Sequence, residues 1–338
     1  MSRLIGYVWS HTLSSMTETD IQSLDGINIA FGLVKDGEVS WEADKYIADL
    51  ERIRKLNPQI KILLSVGGWG AGGFSDAAIT ETGRKKFAES AKQLVIQANL
   101  NGIDLDWEYP TNSAAGIDAR DEDKQTFTLL LKEIRDALDT IPTADHLMLT
   151  IAAGAGSYYI EGTEMDKVAK LLDYVQIMTY DMADAHVKTT GHHTNLFNYA
   201  NSTSSTKTAV DMFIDAGVPK EKLVIGAAFY SRKWDGVINE HNGYRQPAET
   251  IGDFGPTYGV LQKEYIDKNG FVRYWDEDAK APYLFNGSSY ISYDDEASIA
   301  HKIDYLKAQG LYGIMYWEHT CDTTQTLTQM IAKRLNKK

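Results

Sequence analysis

Residues 102–108, Gly102-Ile103-Asp104-Leu105-Asp106-Trp107-Glu108, place an acidic side chain at every second position, and alternate positions of a β-strand share one face. Asp104, Asp106 and Glu108 therefore form a column of carboxyls. Ile103, Leu105 and Trp107 form an equally regular apolar face, which needs a layer of helices to pack against. Three like charges along one wall cannot all ionise freely, so at least one is expected to keep its proton to higher pH than an isolated carboxyl. A general acid working near neutrality needs that property. The acidic face is read as catalytic rather than as the solvated side of an edge strand, because Trp107 and its apolar neighbours argue for burial.

Around this segment the chain alternates short β-rich apolar runs with amphipathic stretches of helical period. Strands are expected at Leu4 to Val8, Ile27 to Leu33, Ile60 to Val66, Gly102 to Glu108, Leu147 to Ala153, Tyr174 to Tyr180, Leu223 to Tyr230 and Tyr312 to Trp317. Helices are expected at Asp44 to Leu56, Thr82 to Ala98, Asp121 to Leu138, Met165 to Leu172, Thr206 to Ala216, Asp295 to Ala308 and Thr323 to Leu335. Repeated βα units argue for a parallel sheet, and eight strands argue for a closed (β/α)8 TIM barrel of α/β class. Residues 231–294 break the rhythm with Gly, Pro, Asp and aromatic residues and short strand-like pieces at Gly270 to Trp275 and Tyr290 to Tyr293. So long an irregular loop is improbable, so a small inserted α+β subdomain is expected between the seventh strand and its helix. The chain would divide into a barrel of residues 1–230 and 295–338 and an insertion of residues 231–294 walling the cleft.

A formal net charge of −13 on 338 residues, with no offsetting basic stripe, works against nucleic acid or anionic membranes as partners and favours a neutral substrate. The single cysteine, Cys321, allows neither an internal disulfide nor a cysteine metal cluster. No apolar run is long enough to span a bilayer, and no signal peptide is expected before Arg3; secreted and cytoplasmic locations both stay open. Neither a metal nor another cofactor is expected, and the chain is expected to act as a monomer.

Barrel sites lie at the C-terminal ends of the strands. There Ile5 and Tyr7, Ile29 and Phe31, Gln176, Met178 and Tyr180, and Gly313, Met315 and Trp317 share parity within their strands, with Asp181 directly following the sixth. Pointing inward, Tyr7, Phe31, Tyr180 and Trp317 would ring the carboxyl column. Sugars suit such a site, because their CH faces stack on aromatics while their hydroxyls and amides need a few fixed polar partners. The glycine-rich stretch Gly67 to Gly73 lacks the Lys-Ser or Lys-Thr of a phosphate loop and is read as a turn with close backbone approach. His192 and His193 are read as a surface loop rather than metal ligands.

These residues carry a resemblance. Gly102 to Glu108 with Tyr109-Pro110 resembles the DxxDxDxE signature strand of family 18 glycoside hydrolases, the chitinase family, with Asn101 at the first acidic position. Ser65-Val66-Gly67-Gly68-Trp69 resembles the family's SxGG motif, Met178-Thr179-Tyr180-Asp181 its MxYD motif, and Trp317 its subsite-floor tryptophan. The segment beginning at Tyr230-Ser231-Arg232 is similar to the chitinase insertion domain. The resemblance implies a chitinase cleaving β-1,4 links of chitin or N-acetylglucosamine oligosaccharides with retention, by a substrate-assisted route that departs from the usual two-carboxylate scheme. It implies Glu108 as general acid, the substrate's 2-acetamido oxygen as nucleophile, Asp106 on the acetamido N–H, Asp104 as a neighbouring site for a shared proton, and Tyr180 on the acetamido oxygen. Asp181 and Arg232 would hold sugar hydroxyls or the acetamide, Trp317 would carry the sugar at the cleavage subsite, and Trp69 would lie one subsite over. An endo-β-N-acetylglucosaminidase acting on N-glycans or peptidoglycan is the alternative enzyme. A non-catalytic chitin-binding lectin is disfavoured because the acid Glu108 is present. Without an appended carbohydrate-binding module, soluble oligomers are expected to be better substrates than crystalline chitin.

Overall fold

The computed structural model describes residues 2–336, so the outermost positions of the expected barrel segments, 1 and 337–338, lie outside the described residues. Eight parallel strands close on themselves: Arg3–Trp9, Gly26–Lys35, Lys61–Gly67, Gly102–Asp106, Met148–Gly154, Tyr174–Met178, Leu223–Ala228 and Gly313–Trp317. Neighbours pair in sequence order around the ring, and the first strand bonds to both the second and the eighth. This is the (β/α)8 barrel expected from the alternation. Among the described residues no helix is long and apolar enough to cross a membrane.

The helices form because their apolar residues recur with helical period. In Asp123–Asp139, the residues Phe127, Leu130, Leu131, Ile134 and Leu138 are buried on one face. Caps set the ends of others. Thr80 accepts the Gly83 N–H before Glu81–Gln97, and Asp295 forms a capping box with Ser298 before Glu296–Gln309, which Gly310 ends in a left-handed conformation. Short helices at Glu18–Ser23, Phe74–Ile79 and Ser157–Glu161 were not expected; each is too brief to show an apolar stripe.

Strand parity sorts the carboxyl strand as its sequence implies. Ile103, Leu105 and Trp107 join the apolar layer between barrel and helices, where Trp107 stacks on Phe74 at 5.3 Å and meets Phe127 edge-on. The ladder ends at Asp106, two residues earlier than expected, so Glu108 sits on the rim just past the last pairing. The second strand departs from simple parity. Asn28 faces inward and donates to Gln176, Ile29 lies in the outer apolar layer, and a register shift between Ala30 and Gly32 returns Phe31 to the mouth. Phe31 thus lines the mouth as expected, whereas Ile29 does not point inward.

Between the seventh strand and Glu296–Gln309 rises a separate antiparallel five-stranded sheet. Its spatial order is Asp253–Thr257, Tyr230–Trp234, Tyr290–Ser292, Ala281–Phe285 and Val272–Asp276. Its first residue, Tyr230, precedes the expected start of the insertion by one position. Trp234, Val237, Tyr283, Phe285 and Tyr290 form its own small core. A fully buried ion pair anchors it: Lys302 Nζ lies 2.6 Å from Asp294 Oδ2, which also accepts the Ala228 N–H and the Thr194 hydroxyl.

Candidate active site

Asp104 is completely buried in the barrel, and the sheet register explains its partners. Ser65 and Thr150 are its direct neighbours on the third and fifth strands, and both donate to it at 2.7 Å. From across the barrel Tyr7 Oη donates at 2.9 Å and Gln176 Nε2 at 2.9 Å. Burial pushes the Asp104 carboxyl up, and these four hydrogen bonds pull it back toward the charged form. The net effect leaves the Asp104 carboxyl above its ordinary value, with each of its oxygens accepting two bonds.

Asp106 sits one pleat higher and differs sharply. It is buried, and its Oδ1 has no hydrogen-bond partner. Burial, followed by the charges of Glu108 and Asp104, holds its carboxyl well above the usual range. Glu108, 8% exposed at the rim, is raised to about 7, first by burial and further by the charge of Asp181, with the Tyr109 hydroxyl acting the other way. The expectation that the column keeps a proton near neutrality is met, with burial as the main cause and mutual repulsion second.

The turn after the third strand wraps closely round this column. Gly67, at φ 124°, lies so close to the Asp106 carbonyl that a Cβ would fall 2.0 Å from its oxygen, and a Cβ on Gly68 would lie 2.8 Å from the Phe31 ring. The Gly68 N–H donates to that same carbonyl. The glycine-rich stretch is the close-approach turn expected of it.

Tyr180 stands against Asp106 and Glu108; burial and then their charges push its phenol upward, and its hydroxyl meets only the Met315 sulfur, at 3.8 Å. Asp181 is held low by His193 and Arg232, despite burial that works against its charge; Arg232 Nε donates to its Oδ1 at 2.6 Å. The Arg232 guanidinium also lies 3.9 Å over the ring of Phe254, which is 68% exposed. Met178 packs with Tyr7, Ala152 and Met315 inside the barrel below the mouth.

Aromatic rings line the mouth. Trp317 stacks on Phe31 at 5.5 Å and touches Tyr7 at 5.7 Å. Trp69 is 65% exposed and lies edge-on to Tyr109, which itself meets Tyr158 at 5.1 Å. All eleven candidate residues therefore gather at the C-terminal end of the barrel, with Trp69 the most peripheral.

His192 and His193 are not a surface loop: both are buried, with His192 Nε2 3.1 Å from Asp276 and the His193 N–H on Ser292 Oγ, because the insertion folds over them. Ser65, Thr150, Gln176 and His193 were given no role, although Ser65 opens the SxGG-like motif and Gln176 shares the parity of Tyr180. The first two are polar interruptions in apolar strand cores, Leu64-Ser65-Val66 and Leu149-Thr150-Ile151, and that signal alone could have found them. Asn101 serves the frame, its Oδ1 accepting the Ile62 N–H of the next strand.

The glycosyl hydrolases family 18 model matches residues 3–322. Chitinase A1 of Niallia circulans is 40% identical over 303 residues, covering 83% of this chain and 43% of that protein. Chitotriosidase-1 of Mus musculus is 31% identical, covering 80% and 60%. The chain thus spans well under two thirds of the length of these curated relatives. Among solved structures, a family 18 N-acetylglucosaminidase from Paenibacillus barengoltzii matches with a TM-score of 0.96 at 50% identity, covering 99% of this chain and 100% of that one. A chitinase-like agglutinin from Robinia pseudoacacia matches with a TM-score of 0.85 at 27% identity, covering 98% of each chain. A family match running through nearly the whole barrel, over a site built on one strand of three carboxyls, leaves one assignment: the chain belongs to the family 18 glycosyl hydrolases.

Proposed function

We propose that the protein is a chitinase that hydrolyses β-1,4 links between N-acetylglucosamine units, with the substrate's own acetamido group as nucleophile. The observation that carries this reading is the state of the carboxyls. Glu108, raised to about 7, can carry a proton to the glycosidic oxygen. A conventional retaining enzyme then needs a free carboxylate on the other side of the sugar, about 5–5.5 Å from the acid. Asp104 is sealed below the site, Asp181 is bound to Arg232, and Asp106 shares the wall of Glu108. The resemblance to the family implies the substrate's acetamido oxygen as nucleophile, and this placement of the carboxyls supports it.

In this mechanism the sugar at the cleavage point lies on Trp317 with its acetamido group directed down between Asp106 and Tyr180. The unpartnered Asp106 oxygen accepts the acetamido N–H and offsets the charge that develops on nitrogen, while the Tyr180 hydroxyl donates to the acetamido oxygen and aims it at the anomeric carbon. Glu108 gives its proton to the leaving oxygen as the oxazolinium-type ring closes. Then, as a carboxylate, it takes a proton from the water that opens that ring. The lectin alternative has no use for a rim carboxyl held near neutrality. Relatives named chitinase and N-acetylglucosaminidase support a substrate built of N-acetylglucosamine units.

The test compares N-acetylglucosamine oligomers with β-1,4-glucose oligomers and fully deacetylated chitosan oligomers, and follows the new anomer by proton NMR. Only acetylated chains should turn over, and the β-anomer should appear first. Initial release of the α-anomer, or comparable hydrolysis of the deacetylated chain, would overturn the mechanism. A glycoprotein run alongside distinguishes the endo-β-N-acetylglucosaminidase alternative.

A further inference from the structure

Trp9 has no part in the mechanism above, yet its position is unusual. It ends the first strand with the same parity as Tyr7, which touches Trp317 from below. Two residues further along the strand, Trp9 stands higher, at the barrel mouth, directly beside Trp317. Its ring lies 5.3 Å from Trp317 at an interplanar angle of 70°, and 5.6 Å from Phe31 at 89°. Trp317 and Phe31 are close to parallel, with 21° between their planes. Trp317 and Phe31 thus stack, and Trp9 stands edge-on to both.

Trp9 stands on the strand beside that of Trp317 and three strands from the one that leads to Glu108. The leaving oxygen must meet Glu108, so the reducing-end part of the substrate lies toward Glu108, Tyr109 and the exposed Trp69. The non-reducing 4-hydroxyl of the sugar on Trp317 points the opposite way. Aromatic platforms for consecutive sugars of a linear chain lie roughly parallel to the chain, because each offers its face to a CH face. A ring edge-on to the stacked Trp317 and Phe31 and in contact with them offers no such platform and fills the space the next sugar would need.

We propose that Trp9 closes the non-reducing side of the cleft, so that the enzyme accepts a chain end rather than a chain interior and releases N-acetylglucosamine one residue at a time. Trp9 is a specificity-determining residue that excludes a longer glycone by occupying its place. The backing by Phe31 and Trp317 keeps the ring from swinging aside. On the other side Trp69 is 65% exposed, with Tyr109 edge-on to it at the longer distance of 6.3 Å, and that end is the one we take to admit longer chains. This inference rests on the substrate reading given above.

Oligomers of N-acetylglucosamine labelled at the reducing end provide the test, together with the chromogenic glycosides of the mono- and disaccharide. The wild type should release unlabelled monosaccharide first and leave labelled chains one residue shorter, and should prefer the monosaccharide glycoside. Trp9→Ala should shift the first product toward the disaccharide and lower the monosaccharide-to-disaccharide ratio of kcat/KM by about tenfold or more, a range typical of steric pocket discrimination. Trp9→Phe, which keeps part of the wall, should fall between. Disaccharide or internal cleavage by the wild type would overturn the proposal without any variant, as would a ratio unchanged by Trp9→Ala in a protein that still turns over. Absence of any turnover of acetylated oligomers by the wild type would instead remove the substrate reading, and this inference with it.

Discussion

Replacing Glu108 by Gln should cost the enzyme its activity and repay it in stability, and the repayment should depend on pH. In the unfolded chain this side chain ionises near 4.5; in the folded protein burial holds it protonated to about 7. Between those values the native state binds the proton and the unfolded state does not, so wild-type stability falls as pH rises through this window. Below 4.5 both states are protonated and the burden vanishes; above 7 it is complete. At 1.36 kcal/mol for each tenfold change, the gap amounts to about 3 kcal/mol. A glutamine keeps the shape without the charge. Its free energy of unfolding relative to wild type should therefore be about 3 kcal/mol larger at pH 8 than at pH 4, measured by chemical denaturation at both. Activity should fall by roughly 10²–10⁴-fold, while oligosaccharide binding persists. The same titration should set the alkaline limb of the wild-type pH profile, with kcat/KM declining through about pH 7 as Glu108 loses its proton. A stability difference equal at the two pH values would refute the reasoning, because it would mean that the buried acid is not what titrates.

Other substitutions probe the column at different depths. Asp106→Asn should leave the fold intact, lower kcat by roughly 10²–10³-fold, and change the shape of the pH profile, since one of two interacting carboxyls is gone. An unaltered profile would show that Asp106 and Glu108 do not communicate. Asp104→Ala should act on stability first: Tyr7, Ser65, Thr150 and Gln176 lose a common acceptor in a dry interior, at a cost on the order of 2–5 kcal/mol in thermal or urea unfolding. Gly67→Ala combines a φ of 124° with a Cβ driven into the Asp106 carbonyl, so strain and overpacking together should cost roughly 2–6 kcal/mol by denaturation.

What the sequence made legible follows from where the relevant contacts lie along the chain. The eight strands are dense runs of β-branched and aliphatic residues, and the carboxyl strand carries its own periodicity, so neither required knowledge of distant partners. The mouth residues followed from parity until parity failed: with Asn28 inward, Ile29 faces outward, a single shift between Ala30 and Gly32 brings Phe31 inward, and no local pattern in Ile29-Ala30-Phe31-Gly32 marks it. The buried histidines escaped for a different reason. Their partners, Asp276 and Ser292, lie 84 and 99 residues away, in a sheet whose strands include Tyr-Ser-Arg-Lys-Trp and Asp-Phe-Gly-Pro-Thr. Neither sequence alternates, because one is charged and the other lies on the sheet's edge, so the insertion was visible as an interruption and its topology was not.

The column also explains why three carboxyls of similar chemistry can be given different tasks on one strand. Depth alone would raise all three. At the lowest level the neighbouring strands offer two hydroxyls in register with Asp104, Tyr7 and Gln176 reach it from across the barrel, and this layer spends its hydrogen-bonding capacity on holding one carboxyl group in place. One pleat higher, the neighbour in register on the third strand is Gly67, which has no side chain to give, so Asp106 keeps an oxygen without a partner. At the rim the ladder has ended and Glu108 faces the cleft. Hydrogen-bond supply is therefore lowest at the middle level, between the four donors on Asp104 and the Tyr109 hydroxyl beside Glu108, and that is where a substrate amide would arrive. In the proposed reaction Asp106 is satisfied only when an acetamido group is present, which places its contribution to binding and to charge stabilisation on the same bond. A sugar bearing a hydroxyl at that carbon offers no N–H for that bond and no carbonyl oxygen to attack, so it should lose both contributions at once.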